Sequence, residues 1–308
     1  MVNLACEPGK PVSIRHVNGQ SGRPSSAQQL CPAQSTGASA GVPLAIVYAM
    51  PEGDVVWRTA HQLHRALAGR NLVRSDFRVP RFATTDLTGR AVIESVSRGK
   101  HLLTRVEGDI TVHTHLKMEG SWRVSAASGF ALRDHRIRLI LANSQWQAIG
   151  YQLGIVELVR TSKEGVVVGH LGPDLLGPDW DATEAVRRLS EQPGRAIGEA
   201  LLDQRNLAGI GTIYRAETLF LRGVNPWRPA GEVPDLLGLV EMARRLLEAN
   251  KDRVQTVTTG NPARGSQLWV YGRAGQRCRR CGATIQRGNL GPQLEERIAV
   301  WCPNCQPQ

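Results

Sequence analysis

The sequence contains no apolar run that approaches the ~20 residues needed to cross a bilayer, which excludes an integral membrane protein. Aromatic residues are also few, at 5% of the chain, although a hydrophobic share of 41% over 308 residues is enough for a sizeable core. This length is typical of roughly two domains. The N-terminus lacks a basic segment followed by a continuous apolar stretch, so no secretory signal is predicted.

Lysine is scarce, with five among 38 basic residues, and acidic residues number only 27. The formal net charge is therefore +11. Positive charge on a folded chain favours a polyanionic partner, because Lys and Arg displace counterions from phosphates. Nucleic acid is the leading expectation, and an acidic membrane surface is the second.

Residues 1–49 lack both helical and strand periodicity and are rich in Ser, Gly, Pro, Gln and Ala. This composition predicts a disordered or non-native extension. Ordered patterning begins at Met50 and Pro51, and the pattern changes from strands to helices near Pro178. We predict domains over residues 50–178 and 179–262, followed by a cysteine-rich module over residues 263–308.

Apolar periodicity predicts an α+β protein. Val56, Leu63 and Leu67 recur at helical spacing, which predicts a helix over residues 54–68 that is capped by Gly69. Closely spaced strands favour a sandwich or a barrel; they are predicted over residues 92–96, 102–106, 110–116, 137–141, 146–149 and 155–159. Later helices are predicted over residues 181–189, 196–202, 212–221 and 234–249.

Two C-x-x-C pairs close the chain, formed by Cys278, Cys281, Cys302 and Cys305. Four thiolates at this spacing are typical of one structural Zn²⁺ in a small hairpin module. Disulfides are the alternative, but a secreted disulfide scaffold spreads its cysteines through the fold. The pattern favours a reducing compartment.

A glycine-rich segment precedes the helix that is predicted to start at Thr212. Gly209 and Gly211 would expose backbone N–H groups at the N-terminus of this helix, which suits a DNA phosphate. A plain helix-helix turn is the alternative. The Walker lysine pattern is missing, so a nucleotide-binding P-loop is not expected.

Five motifs, taken together and in order, resemble the formamidopyrimidine-DNA glycosylase and endonuclease VIII family over about residues 50–306. They are PEG at 51–53, SRGKHLL at 97–103, HLKMEGSW at 115–122, LLDQ with AGIG at 201–211, and YGR at 271–273 with WCPNCQ at 301–306. The resemblance implies an N-terminal β-sandwich catalytic domain that carries the N-terminal helix. A helix-two-turn-helix DNA-binding domain and a C-terminal zinc ribbon would follow.

The resemblance also implies catalytic roles for four residues. Pro51 would be the nucleophile that forms a Schiff base with the opened deoxyribose, and Glu52 the acid/base; a helix N-terminal carboxylate is the alternative reading of Glu52. Lys100 and Arg297 would hold phosphates near the lesion, although a lone lysine is usually a solvated surface group. An α-amine has a reference pKa of ~8, against ~10.4 for a lysine side chain, so far more of it is unprotonated near neutral pH. Pro51 must therefore carry a free amine.

Further DNA contacts follow from the same resemblance. Met118 would fill the space that the flipped nucleotide leaves, whereas a core position is the alternative. Gly209, Gly211 and Thr212 would face a phosphate at the helix start. Arg273, in the YGR motif, belongs to the arginines of the module that are predicted to face phosphates.

Departures from the family pattern bear on lesion preference. Thr212 stands where the family has Asn and supplies one donor instead of two. Val55 replaces a usual glutamate, and Tyr151, Gln152 and Leu153 provide no counterpart of the arginine-phenylalanine pair of oxidised-purine enzymes. These differences favour the endonuclease VIII branch and oxidised pyrimidines.

The leading expectation is a bifunctional DNA glycosylase and AP lyase with β,δ-elimination and one structural Zn²⁺. We expect a monomer that acts on damaged double-stranded DNA in the cytoplasm, at the nucleoid; single-stranded and bubble DNA remain open as substrates. A catalytically inactive DNA-binding protein is the alternative if residues 1–49 stay attached, and an RNA-binding zinc-ribbon protein ranks third. For His113 and His115, packing or a phosphate contact is favoured over a second metal site.

Overall fold

The computed structural model describes residues 51–127, 133–292 and 296–308. The predicted extension over residues 1–49 lies outside the described residues, as does Met50. Within the described ranges, no helix is both long enough and apolar enough to span a bilayer.

The first part of the chain is a β-sandwich. Its strands are β1 (Arg70–Asn71), β2 (Arg74–Phe77), β3 (Ala91–Arg98), β4 (His101–Val106), β5 (Ile110–His115), β6 (Ser121–Ala126), β7 (Ile137–Ala142), β8 (Trp146–Tyr151) and β9 (Ile155–Val159). One sheet has the order β1-β3-β4-β5-β9 and the other β2-β7-β8-β6. All of these pairs are antiparallel. Of the two predicted architectures, the sandwich is therefore the one observed.

Helix α1 (Gly53–Leu67) packs one apolar face against the sandwich core. Val56, Ala60, Leu63 and Leu67 recur every three or four residues, and none is more than 1% exposed. Burial of each larger side chain contributes about 1.5–3 kcal/mol. The predicted helix over residues 54–68 is confirmed to within one residue at each end.

In the described part of the sandwich, the six predicted strands are found at their places, and three further strands were not predicted. The unpredicted strands β1, β2 and β6 all lie at sheet edges. Strand β6 exposes alternate side chains and half-buries only Trp122 and Val124 among its large apolar residues. Edge strands bury little, so their apolar signal is weak.

The helical part contains α2 (Gly165–Val168), α3 (Ala182–Ser190), α4 (Ile197–Ala200), α5 (Thr212–Leu221) and α6 (Leu236–Asn250). The Asp181 carboxylate accepts a hydrogen bond from the Glu184 amide at 3.0 Å, which caps α3 as the sequence predicts. Helix α5 has its predicted bounds, whereas α4 is shorter than the predicted 196–202. The helical part has its own core, which includes Leu207, Ile210 and Leu239.

The C-terminal module is a hairpin of β10 (Gln286–Leu290) and β11 (Arg297–Trp301). Val270 and Ile285 of the module pack with Phe220 of α5 in a small third core. The sandwich, the helical part and the module thus each have a core. The domain boundaries proposed at residues 178 and 262 stay predictions.

Candidate active site and metal centre

The N-terminus of α1 lies directly against the glycine loop that precedes α5. The Gly53 amide donates to the Gly209 carbonyl at 2.8 Å. Pro51 is half-buried at this junction, and Glu52 is only 1% exposed. The two predicted catalytic residues are therefore held where the sandwich meets the helical part.

The Glu52 carboxylate occupies the N-terminus of helix α5. It accepts hydrogen bonds from the amides of Gly211 at 2.8 Å, Ile213 at 2.7 Å and Tyr214 at 3.3 Å. A Cβ at Gly211 would lie 2.5 Å from Cδ of Glu52, so only glycine leaves room for this carboxylate. The positive end of the helix dipole adds to the attraction.

This geometry corrects one prediction about the glycine loop. The amides of Gly209 and Gly211 are not open to a DNA phosphate, because Gly209 donates to Oε1 of Gln204 at 3.0 Å and Gly211 donates to Glu52. The protein's own carboxylate takes the place that was predicted for the phosphate. Thr212 is only 8% exposed, and its hydroxyl has no hydrogen-bond partner among the described residues.

Lys100 follows a tight turn between β3 and β4 that is fixed to the same loop. Gly99 has φ +57°, and its amide donates to Oδ2 of the buried Asp174 at 2.7 Å. A Cβ at Gly99 would lie 2.9 Å from Cβ of Ala208, so the turn and the glycine loop are in close contact. Lys100 is consequently half-buried, and the reading as a solvated surface lysine is wrong.

Electrostatic coupling joins the predicted catalytic groups. Burial raises the pKa of Glu52 to about 7, and the charge of Lys100 opposes this shift. Burial lowers the pKa of Lys100; the charge of Glu52 opposes this shift, and Arg297 adds to it. A carboxyl with a pKa near neutrality can both donate and accept a proton at working pH.

Two arginines extend this cluster towards the hairpin. Arg297, for which a phosphate contact stays a prediction, is exposed at the start of β11. Arg215 of α5 is 1% exposed, and it donates to the Ile298 carbonyl at 2.5 Å. Both line a cleft of about 240 Å³. Arg215 was not predicted, because an arginine inside an amphipathic helix ordinarily lies on the solvated face.

A second buried acid of α5 holds the start of the module. The Glu217 carboxylate accepts hydrogen bonds from the amides of Trp269 at 2.8 Å, Val270 at 2.9 Å and Tyr271 at 2.9 Å, and from the Thr258 hydroxyl. Three consecutive amides on one carboxylate form a rigid link between α5 and the cysteine module. Periodicity did not reveal this acid, because Glu217 lies on a helix that is buried on all sides.

Arg273 makes its hydrogen bonds within the module. Its three guanidinium nitrogens donate to Oε1 of Gln276 and to the carbonyls of Trp269 and Arg277, at 3.2, 2.5 and 2.8 Å. The side chain thus braces the loop before the cysteines. This placement argues for a structural role and against the predicted DNA contact.

Met118 lies on the loop between β5 and β6 and is 54% exposed. The alternative of a core methionine is therefore wrong. A Cβ at Gly120 would lie 2.4 Å from the Leu116 carbonyl oxygen, which shows how tightly this loop turns. An exposed, flexible apolar side chain on a tight loop suits insertion between bases.

The predicted packing role fits His113, which is 2% exposed. Its ring nitrogens lie 3.0 Å from Oε2 of Glu157 and 2.8 Å from Nδ1 of His101. His115 accepts a hydrogen bond from the Lys117 amide at 2.9 Å. Burial lowers the pKa of His101 to about 3 and that of His115 to about 4, so both rings are neutral near pH 7.

The four cysteines of the module lie together with their thiols free. The predicted alternative of disulfides is therefore wrong. Their sulfur atoms all lie within 4.8 Å of one another, with 3.9 Å between Cys278 and Cys305 and 3.4 Å between Cys281 and Cys302. Thiolates at ~2.3 Å from a tetrahedral ion are separated by about 3.8 Å. The cluster can therefore hold a metal ion.

Comparison with known proteins supports the same architecture. Residues 50–150 match the formamidopyrimidine-DNA glycosylase N-terminal domain, and residues 171–250 match the H2TH domain of the same glycosylases. The crystal structure of the Lactococcus lactis Fpg with an abasic-site DNA has a TM-score of 0.71 at 25% identity, and the match covers 83% of this chain and 100% of that one.

Two bacterial relatives match nearly their whole length. A probable endonuclease 8 2 of Streptomyces coelicolor is 55% identical over 264 residues, which cover 83% of this chain and 94% of that protein. A DNA-(apurinic or apyrimidinic site) lyase Nei2 of Mycolicibacterium smegmatis is 48% identical over 257 residues, which cover 83% of this chain and 99% of that protein.

The sandwich, the helix-two-turn-helix part and the cysteine cluster define the class as an Fpg-like α+β protein. The chain belongs to the formamidopyrimidine-DNA glycosylase and endonuclease VIII family. The resemblance that the sequence motifs predict is thereby confirmed.

Proposed function

We propose that the protein is a bifunctional DNA glycosylase and AP lyase of base excision repair. One observation carries this proposal: Pro51 directly precedes a buried glutamate that is seated on α5 and coupled to Lys100. A proline amine beside an acid of near-neutral pKa suits attack on a sugar carbon followed by proton transfer. The names of the relatives support the same activity.

The reaction begins with attack of the free Pro51 nitrogen on C1′ of the damaged nucleotide. The glycosidic bond breaks, and the base leaves with its electron pair and takes up the proton that the proline nitrogen loses as the new N–C1′ bond forms. Protonated Glu52 donates to the sugar ring oxygen as the ring opens, and the proline nitrogen becomes an iminium. Loss of a C2′ proton then expels the 3′-phosphate by β-elimination, and loss of a C4′ proton expels the 5′-phosphate by δ-elimination. Water finally hydrolyses the iminium bond and releases the Pro51 amine.

Cationic side chains would hold the strand during these steps. Lys100 and Arg297 act on phosphates that flank the flipped nucleotide, and Met118 fills the vacated space in the stack. Their half-buried or exposed placement supports these roles. For Thr212, a phosphate contact requires a local shift, since its hydroxyl is buried.

The metal of the module is, on this proposal, one structural Zn²⁺. Four cysteine thiolates leave no open position for water, so the ion would stabilise the hairpin and take no part in the chemistry. Cys278, Cys281, Cys302 and Cys305 are the ligands.

Oxidised pyrimidines are the proposed preference, resting on Val55 and on residues 151–153, which depart from the pattern of oxidised-purine enzymes. We further propose a monomer that works on damaged duplex DNA in the cytoplasm, at the nucleoid. The net charge of +11 supports a nucleic-acid partner.

A non-catalytic DNA-binding protein remains the second candidate, because an amide nitrogen at Pro51 is not a nucleophile. Borohydride trapping with DNA that contains an oxidised pyrimidine or an abasic site separates the two. We expect a covalent adduct with the chain that begins at Pro51 and none with the full chain. No adduct from the chain that begins at Pro51, or an adduct that survives both Pro51→Gly and Glu52→Gln, contradicts the proposal.

A further inference from the structure

Asp54 is a buried acid in the first turn of α1 that the proposed reaction leaves without a role. It is 2% exposed and lies two residues after Glu52. The Tyr214 hydroxyl donates to its Oδ2 at 2.9 Å, while the Tyr214 amide donates to Oε2 of Glu52 at 3.3 Å. A single residue of α5 thus holds both carboxyl groups.

Groups from three elements act on these two acids. Lys100 from the β3–β4 turn favours the charged form of Glu52, as do the amides of α5; Arg215 of α5 also interacts with its charge. Asp54 from α1 opposes them and raises the pKa of Glu52.

Asp54 has its own stabilising partners. Burial raises the pKa of the Asp54 carboxyl, whereas the Tyr214 hydroxyl and, to a smaller extent, the charge of Arg58 lower it. The hydrogen bond from Tyr214 and the charge of Arg58 therefore help Asp54 to keep its negative charge inside the protein. Two nearby carboxylates in a low-dielectric site disfavour double ionisation, and the better-stabilised one ionises first.

We infer that Asp54 is a positioning residue for Glu52: its carboxylate, held by Tyr214, stays ionised and adds to the effect of burial in keeping the Glu52 carboxyl protonated against the pull of Lys100. This inference rests on the proposed function, in which protonated Glu52 donates to the sugar ring oxygen. Without the charge of Asp54, Lys100 and the amides of α5 would hold a larger fraction of Glu52 as the carboxylate, which has no proton to give.

The direct test is a carboxyl ¹³C NMR titration of the chain that begins at Pro51, with the Glu52 signal assigned by its loss in Glu52→Gln. Asp54→Asn removes the charge and keeps an oxygen that can accept from Tyr214. We expect this substitution to lower the pKa of Glu52 by roughly 0.5–1 unit. Glu191→Gln, which removes a negative charge at the exposed end of α3, should leave the Glu52 titration unchanged.

Tyr214→Phe provides a second variant in case Asp54→Asn does not fold. It keeps Asp54 but removes its donor, so Asp54 takes up a proton more readily and the pKa of Glu52 falls in the same direction. A Glu52 titration that is unchanged in whichever of these variants folds overturns the inference.

The pH profile of single-turnover adduct formation supplies the kinetic readout. In Asp54→Asn, the alkaline limb should move to lower pH by the same amount, while the rate below the limb stays within about twofold. An equal loss of rate at every pH indicates a merely structural role and contradicts the inference. If the wild-type chain forms no adduct, the proposed function fails, but the NMR titration still decides whether Asp54 controls Glu52.

Discussion

At the scale of single residues, the site depends on a carboxyl group that is withdrawn from water. Glu52 is held by the amide of Gly211 and by two amides in the first turn of α5, and its pKa of about 7 results mainly from burial. The burial that makes Glu52 useful for proton transfer therefore lowers the free energy of unfolding whenever Glu52 is ionised. This trade-off and the tight packing of Gly99 each lead to a prediction.

The first prediction concerns pH-dependent stability. An acid whose folded pKa lies near 7, against 4.5 for the free group, makes the folded state bind the extra proton, so stability falls as pH rises from about 4.5 to 7. Glu52→Gln removes this dependence. The free energy of unfolding of the variant, measured relative to that of wild type, should therefore rise by up to about 3 kcal/mol from pH 4 to pH 8. Urea unfolding at the two pH values measures this change, and a stability difference that does not vary with pH contradicts it.

The second prediction concerns the turn that presents Lys100. Gly99→Ala introduces strain at φ +57° and a contact of 2.9 Å with Ala208, so the turn must move away from the glycine loop. We expect adduct formation to slow by roughly 10- to 100-fold. Gly89→Ala is the matched control, because Gly89 has φ +85° but no atoms within 4 Å of its Cβ position. Equal rates of adduct formation by Gly99→Ala and Gly89→Ala would contradict the importance of the close contact between Gly99 and Ala208.

At the scale of elements, helix α5 connects the parts of the site. Its first turn holds Glu52, Tyr214 binds Asp54 of α1, and Arg215 and Glu217 bind the module. Helix α5 has almost no solvated face, so its polar side chains are buried. They therefore form hydrogen bonds inside the protein. The helix thereby connects the Pro51–Glu52 junction to the hairpin that carries Arg297.

The third prediction tests the link through Glu217. Glu217→Ala leaves three consecutive amides without an acceptor, which should cost about 2–4 kcal/mol of unfolding free energy. Limited proteolysis should then cut the segment over residues 258–273 faster than in wild type. Glu248→Gln on the exposed face of α6 is the control. Unchanged protection of this segment contradicts the assigned link.

Sequence patterns predicted the elements with strong burial better than the contacts between them. Helices α1 and α5 and the central strands carry clear periodicity, and the four cysteines are conspicuous. The occupant of the α5 N-terminus was predicted wrongly, because the residue that binds there comes from 159 positions away along the chain. Neither Asp54 nor Asp174 could be assigned a partner before the fold was known.

At the scale of the whole molecule, the proposed site draws on residues from the sandwich, the helical part and the cysteine module. Pro51, Glu52 and Lys100 come from the sandwich side, Arg215 from the helical part and Arg297 from the hairpin. Disruption of the sandwich, the helical part or the hairpin should therefore disturb the placement of the site residues that the other two contribute.

The fourth prediction is that metal loss weakens DNA binding before it affects the sandwich. We expect one Zn²⁺ per chain by elemental analysis, and its removal by a chelator or by Cys281→Ser should unfold the hairpin that carries Arg297. Affinity for abasic-site DNA should fall by at least about tenfold, which corresponds to 1.4 kcal/mol. A metal-free protein that binds DNA with wild-type affinity contradicts this prediction.

The assignment of Pro51 as the nucleophile is tested most directly by mass-spectrometric mapping of the borohydride-trapped adduct formed by the chain that begins at Pro51. We expect a deoxyribose remnant on the Pro51 nitrogen, and we expect Glu52→Gln to reduce the yield of this adduct sharply. A remnant on Lys100 or on another lysine, or no remnant at all, would contradict the assignment of Pro51 as the nucleophile.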